Sequence, residues 1–450
     1  MSTALIILGA GMGTRMNSEL PKVLHPIGGA PMLVHAMRAG AALNPEITVI
    51  VAGHGAEAVS KAALAYDPDA QTVLQAEQLG TAHAVAQARP ALEDFDGDAI
   101  VLYGDTPFIC AETLEAMAEA RSAYDVVVLG FEAADPGRYG RLITQGETLE
   151  RIAEFKDATN EERAVTLCNS GVVAAKSSVL FDLVAAVGND NAAGEYYLTD
   201  IIGLARAKGL SATVVRCAEA ETLGVNSRAE LIAAEADFQA RARAAAIEDG
   251  VTLLAPQTVF FAYDTYLGRD AIIEQNVVFG PNVTVESGAK IRAFSHLEGC
   301  HVSQGATVGP YARLRPGAEL QENVHVGNFV EIKNAIVAEG AKINHLTYIG
   351  DADIGARTNI GAGTITCNYD GVFKHRTVIG EDAFIGSNTM LVAPVTVGHQ
   401  AMTASGSVIT RDVPDGALGV ARARQDNKAS FAVRMFEKLK NLKAKQVKDQ

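Results

Sequence analysis

The sequence predicts two domains of different class, an α/β domain with a doubly wound sheet and a parallel β-helix, joined by one helix. Short apolar runs alternate with amphipathic stretches in the first half, which is the order expected of an α/β sheet. Aliphatic residues recur every six positions in the second half, which is typical of a β-helix. The chain of 450 residues accommodates about three domains, and the predicted parts are residues 1–227, 228–249 and 250–450.

In residues 1–227 the apolar runs predict strands and the amphipathic stretches predict helices. Several runs are apolar on both faces, as parallel strands covered by helices are. Such sheets bind ligands at the carboxyl ends of their strands. The predicted strands are Thr3–Leu8, Ile47–Ala52, Asp98–Tyr103, Asp125–Phe131 and Ala212–Cys217, and the predicted helices are Pro31–Leu43, Gly80–Leu92, Ala111–Arg121 and Tyr196–Lys208.

Beyond residue 227 the pattern changes first to a helix and then to a six-residue repeat. Arg228–Asp249 is rich in Ala, Glu and Arg and lacks Gly and Pro, which predicts one exposed connecting helix. In the repeat, each aliphatic residue is expected to stack inside the coil on its counterpart one turn earlier. The predicted inward positions are Ile273, Phe279, Val285, Ile291, Leu297, Val302, Val308, Leu314, Leu320, Val326, Ile332, Val337, Ile343, Ile349, Ile379, Ile385, Leu391, Val397, Thr403 and Ile409.

The repeat is interrupted once and ends before the chain does. The stretch "CNYDGVFKHRT" at 367–377 breaks the series, and a loop that leaves a solenoid is usually functional or part of an interface. After Asp412 the repeat is lost. The tail ends in a basic stretch, for which a solvated helix face is one interpretation; its basic residues are Arg434, Lys438, Lys440, Lys443, Lys445 and Lys448.

Charge and composition exclude several classes of function. The net charge of −15 argues against binding nucleic acid or an anionic membrane through the bulk of the surface. No run of about 18 apolar residues is present, so no membrane span is predicted. The amino terminus lacks a basic region and a signal cleavage site, which predicts a cytoplasmic protein. The five cysteines are scattered without CxxC spacing, so free thiols are expected.

A glycine loop follows the first predicted strand, in "LGAGMGTRMNSELPK" from Leu8. Its spacing matches neither G-x-G-x-x-G nor G-x-x-x-x-G-K-[ST]. Glycines at alternate positions nevertheless let backbone amides close on phosphate oxygens. Arg15 and Lys22 supply the positive charge that an acidic chain otherwise lacks. A tight turn between strand and helix is the structural alternative.

With its flanks, this stretch resembles the sugar nucleotidyltransferase motif G-x-G-T-R-[ML] followed by P-K. Other stretches agree, as does a β-helix that carries "NFVEIKNA" and "NIGAGTITCNYDG". Residues 4–425 resemble the bacterial family that joins N-acetylglucosamine-1-phosphate uridylyltransferase to glucosamine-1-phosphate acetyltransferase. The agreeing stretches in the first half are "LQAEQLGTAHA", "LYGDTP", "YGRL", "EFKDAT", "CNSGV", "GEYYLTD" and "GVNSR".

The resemblance implies a Rossmann-like nucleotidyltransferase domain and a left-handed β-helix of hexapeptide repeats. It implies that acetyl-CoA acetylates glucosamine 1-phosphate on the β-helix. UTP and N-acetylglucosamine 1-phosphate then give pyrophosphate and UDP-N-acetylglucosamine, a precursor of cell wall and lipopolysaccharide, on the first domain. It also implies a homotrimer with acetyltransferase sites between neighbouring β-helices. One rival hypothesis keeps the β-helix only as an oligomerisation scaffold, and another is a sugar-nucleotide sensor without activity.

For the first site, the residues themselves point to one metal ligand. Asp105 follows a predicted strand, where a carboxylate suits Mg²⁺ and a turn residue is the alternative. The resemblance assigns Mg²⁺ to Asp105 and Asn226 and phosphate contacts to Arg15 and Lys22. It implies that the uridine pocket is lined by Leu8, Gly9, Gly11, Gln75, Gly80 and Thr81, and that the amino sugar is held by Tyr103, Gly140, Glu154 and Asn169. It also implies substrate binding by Ala10, Gly104 and Asn226.

For the second site, acetylation of an amine needs a base to take up a proton, and histidine suits that role near neutral pH. The β-helix segment offers His296, His301, His325, His345, His375 and His399. His345 stands out, because Lys333, Tyr348 and Asn359 lie at offsets that adjoining coils would bring near it.

The resemblance selects His345 as the general base and implies contacts to the sugar phosphate by Arg315, Lys333, Tyr348 and Asn359. Its acetyl-CoA positions are Ala362, Asn368, Tyr369, Ser387, Ser405 and Arg422; Ser405 stands where the family often has Ala. A contact of the tail lysines with the coenzyme A phosphates is an alternative to the solvated face.

Overall fold

The computed structural model describes residues 2–448, and the side chains through residue 446. The described chain forms two compact units. The first runs to Glu248 and also includes Phe260–Thr265 and Phe279–Pro281. The second consists of Asp249–Val259, Tyr266–Val278 and the chain from Asn282 onward. The domain boundaries after residues 227 and 249 stay predictions. No helix among the described residues is long and apolar enough to cross a membrane.

The first unit is built on a twisted sheet with the strand order β11-β7-β10-β6-β1-β4-β5. Strand β1 pairs in parallel with both β4 and β6, so the carboxyl ends of these three strands lie at one edge. The strands are β1 Thr3–Gly9, β2 Pro26–Ile27, β3 Ala30–Pro31, β4 Ile47–Ala52, β5 Gln71–Leu74, β6 Asp98–Tyr103, β7 Val126–Glu132, β8 Arg141–Gln145, β9 Thr148–Ala153, β10 Leu167–Lys176 and β11 Ala212–Cys217.

One central strand departs from the predicted parallel arrangement. Strand β10 runs antiparallel to both β6 and β7, and the hairpin of β8 and β9 comes before it in the chain. Its pairing with β7 shifts between Asn169 and Val173. A bulge of this kind breaks the side-chain alternation by which a strand is found in a sequence. The sheet is therefore mixed, although it is doubly wound as predicted.

Helices cover both faces of this sheet and bury one apolar cluster on each side. The predicted helix at Gly80–Leu92 is two pieces, because Pro90 lacks the amide hydrogen that a continuous helix requires. The helices are α1 Met32–Ala41, α2 Ala56–Tyr66, α3 Thr81–Ala86, α4 Ala111–Ala120, α5 Asn160–Arg163, α6 Ser177–Val184, α7 Asp200–Ala207 and α8 Arg228–Glu248, with 3₁₀ turns at Thr14–Met16, Lys22–Leu24, Arg89–Leu92 and Glu219–Glu221.

Helix α8 is less exposed than its sequence predicts. Ala234 is buried in a small apolar cluster, against which Phe238 also packs. The buried Gln239 side chain makes two hydrogen bonds of 2.8 Å with the backbone of Phe261, one as donor and one as acceptor. The expectation of a wholly exposed connecting helix is therefore wrong on this side of the helix. Its remaining residues are mostly exposed or half-buried.

The second unit is a parallel β-helix whose three faces are ladders of short strands. Two longer strands, Glu331–Val337 and Tyr348–Ile354, each turn a corner and belong to two faces. The first ladder contains Thr252–Leu253, Ile272–Ile273, Lys290–Ile291, Thr307–Val308, His325–Asn328, Lys342–His345, Asn359–Ile360, Phe384–Ile385, Met402–Thr403 and Leu418–Gly419. The other strands are Tyr266–Leu267, Val278–Phe279, Val283–Val285, His296–Leu297, Cys300–Val302, Arg313–Leu314, Ala318–Leu320, Ile365–Cys367, Thr377–Ile379, Met390–Val392, Val395–Val397 and Val408–Ile409.

The six-residue repeat marks the interior of the coil as predicted. Every predicted inward residue from Ile273 to Ile409 is at most 4% exposed. The interruption at 367–377 is also confirmed, since the loop leaves the stack between two paired strands. Ala352 lies 17 residues after its partner Ala335, whereas Thr377 lies 25 residues after its partner Ala352. The unit also has a 3₁₀ turn at Pro256–Thr258 and ends in helix α9, Phe431–Lys448.

Candidate active sites

A cleft of about 320 Å³ opens at the carboxyl end of β1 in the first unit. The glycine loop forms one wall, and Gln75, Gly80 and Thr81 lie across from it. A Cβ added at Gly11 would meet no atom within 4 Å. Packing therefore does not explain this glycine, whereas the close approach of a ligand would. The predicted residues that line the cleft are Leu8, Gly9, Ala10, Gly11, Lys22, Gln75, Gly80, Thr81, Tyr103 and Asp105.

Two charged groups and an amide meet beside this cleft. The Lys22 ammonium donates to the Asp105 carboxylate and, at 3.0 Å, to Asn226 Oδ1. The amide of Val225 donates to the Asp105 carbonyl at 3.0 Å, which places Asn226 beside the end of β6. The backbone amide of Asn226 donates to Glu230 Oε2 at 2.6 Å. Two oxygen donors from distant parts of the sequence thus face one cation.

The residues predicted for the sugar also lie close together. A Cβ at Gly140 would lie 3.5 Å from Glu154 Oε1 and 3.6 Å from the Asn169 Cβ. Thr199 donates to Glu154 Oε1 at 3.0 Å. Burial raises the pKa of Glu154, and the Thr199 hydrogen bond opposes that rise. Burial, followed by the charge of Asp105, raises the pKa of the Tyr103 hydroxyl, so this phenol stays protonated as a donor.

Two residues predicted for this site, Gly104 and Arg15, do not line the cleft, and three side chains at the site were not predicted. Gly104 donates its amide to the Leu8 carbonyl at 2.9 Å, which is a structural contact. Arg15 is exposed, does not line the cleft, and makes no hydrogen bond or ion pair within the part of the chain that the structure describes. The side chains not predicted are Gln78, which donates to the Ala10 carbonyl at 2.7 Å, Glu195, which lines the cleft, and Thr199. All three lie within stretches that carried the resemblance.

In the β-helix, His345 ends a strand of the first ladder next to Asn328, its partner one coil earlier. The His345 Nδ1 lies 2.8 Å from Asn328 Oδ1. Because an amide oxygen can only accept, Nδ1 carries the proton and Nε2 keeps its lone pair. His345 is exposed and lines an open groove of about 390 Å³ together with Tyr311 and Phe329. The sequence offset of 17 residues, one coil, could have identified Asn328.

Three of the four residues predicted to bind the sugar phosphate, Arg315, Lys333 and Tyr348, lie on the face after the Leu346 corner. Arg315 donates to Glu331 Oε1 at 2.8 Å, and Glu331 pairs in register with Tyr348. Close contact with the Lys374 ammonium lowers the pKa of Lys333. Lys374 was not among the predicted residues, although it lies in the interrupting loop. A pair of neighbouring ammonium groups favours a bound anion.

A buried carboxylate anchors that loop. Asp351 accepts hydrogen bonds from the side chains of Asn334, at 2.6 Å, and Asn368. Burial alone would raise the pKa of Asp351, but these hydrogen bonds and the nearby Lys333 charge lower it below the usual value. Asn368, predicted for acetyl-CoA, is therefore held rigidly, whereas Tyr369 is exposed.

The other predicted acetyl-CoA positions form a column along the coils. Ala362, Ser387 and Ser405 each come before a corner of successive coils. The Asn388 amide donates to the Ala362 carbonyl at 2.7 Å, and the Gly406 amide donates to the Ser387 carbonyl at 2.8 Å. Arg422 lies in the exposed tail.

Asn359 pairs with Lys342, on the same face as His345. No hydrogen bond joins His345 to Lys333 or Arg315 among the residues the structure describes.

Comparisons with known proteins agree with both units. The MobA-like NTP transferase domain model matches residues 5–172, and the GMPPB C-terminal domain model matches residues 296–410. A nucleotidyltransferase sheet with this cleft, followed by a β-helix, defines a nucleotidyltransferase that carries a second functional domain.

Full-length relatives identify the family. The chain is 69% identical over 448 residues to the Bifunctional protein GlmU of Ruegeria sp. (strain TM1040), and the alignment covers 100% of both chains. It is 71% identical over 436 residues to the Bifunctional protein GlmU of Cereibacter sphaeroides, with 97% of this chain and 96% of the relative covered. The chain belongs to the GlmU family of bifunctional proteins. The predicted pair of activities, uridylyl transfer and acetyl transfer, is thereby confirmed.

Proposed function

We propose that each activity belongs to one of the two sites described above. Acetyl-CoA acetylates glucosamine 1-phosphate at His345, and UTP reacts with the acetylated sugar phosphate at the glycine-loop cleft. The convergence of Lys22, Asp105 and Asn226 beside that cleft is the observation that carries the proposal. It supplies cationic and oxygen-donor groups at the strand ends where a triphosphate would lie.

Asp105 and Asn226 fit a Mg²⁺ ion. The Lys22 ammonium lies between their oxygens, and this arrangement supports a cation site at the pair. A carboxylate and an amide oxygen are hard ligands, and Mg²⁺ usually takes its remaining ligands from water and substrate phosphates. When bound, the metal neutralises charge on the triphosphate. Asp105 and Asn226 would hold it, and Lys22 and Arg15 would contact the phosphates.

The cleft needs no protein nucleophile. A phosphate oxygen of the sugar attacks the α-phosphorus of UTP, the bond to the bridging oxygen breaks, and pyrophosphate leaves. The chain's contribution is to orient the two substrates and to neutralise charge. We assign the amino sugar to the Gly140, Glu154 and Asn169 cluster, because the Glu154 carboxylate and the Asn169 side chain both lie close to Gly140. The uridine would lie between the glycine loop and Gln75.

In the second site His345 acts as the general base. Its Nε2 removes a proton from the substrate ammonium, and the freed amine forms a bond to the acetyl carbon while the bond to the coenzyme A sulfur breaks. The nitrogen loses its second proton, the leaving thiolate takes up a proton to give the free thiol, and the His345 proton passes to solvent. The Asn328 hydrogen bond keeps the lone pair on Nε2. Arg315 and Lys333, with Lys374 beside it, would hold the sugar phosphate. The column of Ala362, Ser387 and Ser405 would hold acetyl-CoA, with Asn368, Tyr369 and Arg422.

An exposed aromatic column supports assembly into a homotrimer through the β-helix. Phe294, Tyr311 and Phe329 stack with ring centroids 4.9 and 5.3 Å apart, and each is about half exposed. All three have positive φ values, between 54° and 61°. Left-handed backbone recurs at the corners of the β-helix, as at Leu346 and Asn388, so the exposed aromatic side chains themselves support the interface. The Tyr311→Asp variant should sediment as a monomer, whereas Tyr266→Asp, at another exposed tyrosine of this unit, should not.

Free cysteines and phosphorylated substrates favour the cytoplasm as the location. All five cysteines are free, and thiols persist in reducing compartments.

Separate readouts of the two half-reactions test the assignment. Purified protein is given glucosamine 1-phosphate, acetyl-CoA, UTP and Mg²⁺, and free thiol and pyrophosphate are followed. His345→Ala should abolish thiol release yet release pyrophosphate from N-acetylglucosamine 1-phosphate, and Asp105→Ala should do the reverse. His296→Ala, at an exposed β-helix histidine, is the control. A wild-type protein that never releases thiol would make the β-helix a scaffold.

A further inference from the structure

The carboxy-terminal helix α9 has two features that neither active site explains. From residue 421 to residue 446 every side chain is exposed. Between residues 431 and 446 the helix carries five basic residues and one acidic residue, which is a net charge of +4. The other residues of the chain therefore carry −19. Positive charge is thus concentrated in one short segment of an acidic protein.

Phe431, Met435, Leu439 and Leu442 lie along one stripe of α9, whereas Phe436 and Val433 lie outside it. At 100° per residue, Met435, Leu439 and Leu442 fall within about 60° of arc. Lys438 and Lys445 follow at one edge of the stripe, and Lys440 and Lys443 lie towards the other edge. The apolar residues that are exposed along the helix are Phe431, Val433, Met435, Phe436, Leu439 and Leu442.

We propose that α9 binds the surface of an anionic lipid membrane, lying in the plane of the interface. Such helices combine an apolar stripe with flanking lysines, whose long stems let the ammonium groups reach the headgroups. An anionic bilayer satisfies both features at once. The net negative charge of the chain opposes binding to an anionic membrane. The charge of α9 is positive, so this segment is attracted to the membrane although the rest of the chain is repelled.

A second copy of α9 fits less well. Helices that associate through an apolar seam normally pair acidic with basic residues across its edges. Here Glu437 is the sole acidic residue between 431 and 446, so each additional copy would bring a further +4 into contact. Like charges at this spacing repel. Anionic lipid, in contrast, gains attraction from every lysine.

The absence of tryptophan from the chain allows a direct test. Full-length Phe431→Trp protein places one fluorophore on the apolar stripe, within about 20° of Leu442 around the helix. With vesicles of phosphatidylglycerol and phosphatidylcholine in equal amounts, its emission should shift to the blue and the protein should sediment with the vesicles. Phosphatidylcholine alone should give neither effect. About 1 M salt should release the protein, because the Debye length falls to about 3 Å.

Two variants in this background separate charge from apolar contact. Lys438→Gln/Lys440→Gln/Lys443→Gln/Lys445→Gln should weaken binding by roughly fivefold per lysine. Met435→Gln/Leu439→Gln/Leu442→Gln keeps the charge and good helix formers, and should abolish the blue shift. Asn441→Gln, on the polar face, is the control. Both half-reactions should be unchanged in all variants.

Several results would overturn the proposal. Vesicle binding without a blue shift would mean that the lysines attract α9 to the vesicle surface but that its apolar stripe does not enter the lipid. No vesicle binding, together with a loss of oligomer mass in the apolar variant, would make a second copy the occupant. A raised KM for acetyl-CoA in the lysine variant, with vesicle binding unchanged, would instead assign these lysines to the coenzyme A phosphates.

Discussion

At the scale of single residues, the three glycines of the first loop differ in what a side chain would meet there. A Cβ at Gly9 would make ordinary contacts of 3.5–3.9 Å, and one at Gly11 would meet nothing. Gly13 has φ +60°, and a Cβ there would lie 2.6 Å from the Lys22 Cβ. A side chain would thus meet ordinary contacts at Gly9, the open cleft at Gly11 and a clash at Gly13.

Alanine at each of these glycines should give three different results. Gly9→Ala should change neither stability nor activity. Gly11→Ala should keep the melting temperature but raise the KM for UTP by about tenfold, since a methyl group would stand in the cleft. Gly13→Ala should destabilise the first unit by roughly 1–2 kcal/mol through the left-handed backbone, and more through the clash. Thermal unfolding and pyrophosphate release measure both effects; a destabilised Gly11→Ala would contradict the ligand interpretation.

The Asp351 carboxylate should make stability depend on pH. Its folded pKa is lowered, so its contribution is complete above the unfolded value of about 3.9 and is lost as the pH falls through the folded pKa. In the Asp351→Asn variant the new side-chain amide would face the donor groups of Asn334 and Asn368, and one of these hydrogen bonds would be lost. The free energy of unfolding should fall by roughly 1–3 kcal/mol at neutral pH. In urea unfolding, the difference from wild type should shrink in acid.

Asp353→Asn is the matched control for that experiment. Asp353 pairs with Arg376 at the surface, where such a pair contributes at most about 1 kcal/mol. The Asp351 variant should also raise the KM for acetyl-CoA through Asn368. An equal loss in the two variants would show that burial of Asp351 has no special effect.

At the scale of elements, the periodic segments could be predicted and the irregular ones could not. Strands β4, β6 and β11 have the bounds that their apolar runs predict, and the hexapeptide positions mark the interior of the β-helix. Strand β10 was missed because a bulge interrupts its pattern. Asp351 and Lys374 were missed because each acts through a contact with the interrupting loop, which one sequence alone does not show, whereas the one-coil offset from His345 could have identified Asn328.

Helix α8 depends on a polar contact that a helical pattern cannot reveal. Gln239→Ala would leave the buried amide and carbonyl of Phe261 without their partner, which should cost roughly 2–4 kcal/mol. Ile232→Ala, at an exposed position of the same helix, should be nearly neutral. Thermal unfolding of the full chain, followed alongside pyrophosphate release, measures the loss. Equal stability of the two variants would contradict it.

At the scale of the whole molecule, two units carry two chemistries with different requirements. The proposed metal ligands belong to the first unit, and no group of three His, Cys, Asp or Glu side chains that could hold a metal occurs anywhere in residues 2–448. General-base catalysis at His345 requires no metal. The two half-reactions should therefore respond differently to the removal of divalent cations.

A chelator should abolish pyrophosphate release and leave thiol release unchanged. Excess Mg²⁺ should restore the lost half-reaction, which controls for irreversible damage. The Asp105→Asn variant should need more Mg²⁺ for the same rate, since an amide is a weaker ligand for a hard cation. Loss of thiol release in the chelator would place a metal in the acetyl transfer and contradict the proposed base.

The interrupting loop at 367–377 has a consequence for how the molecule can vary. Ala352 pairs with Thr377 just as Ala335 pairs with Ala352, so the stack resumes its order as if the extra residues were absent. The order of the stack therefore does not depend on the length of this segment, although Asn368 within it bonds to Asp351 of the coil. The exposed positions at its tip, such as Val372 and Phe373, can change while the scaffold stays constant, which makes the loop tip a place where new specificity can be engineered.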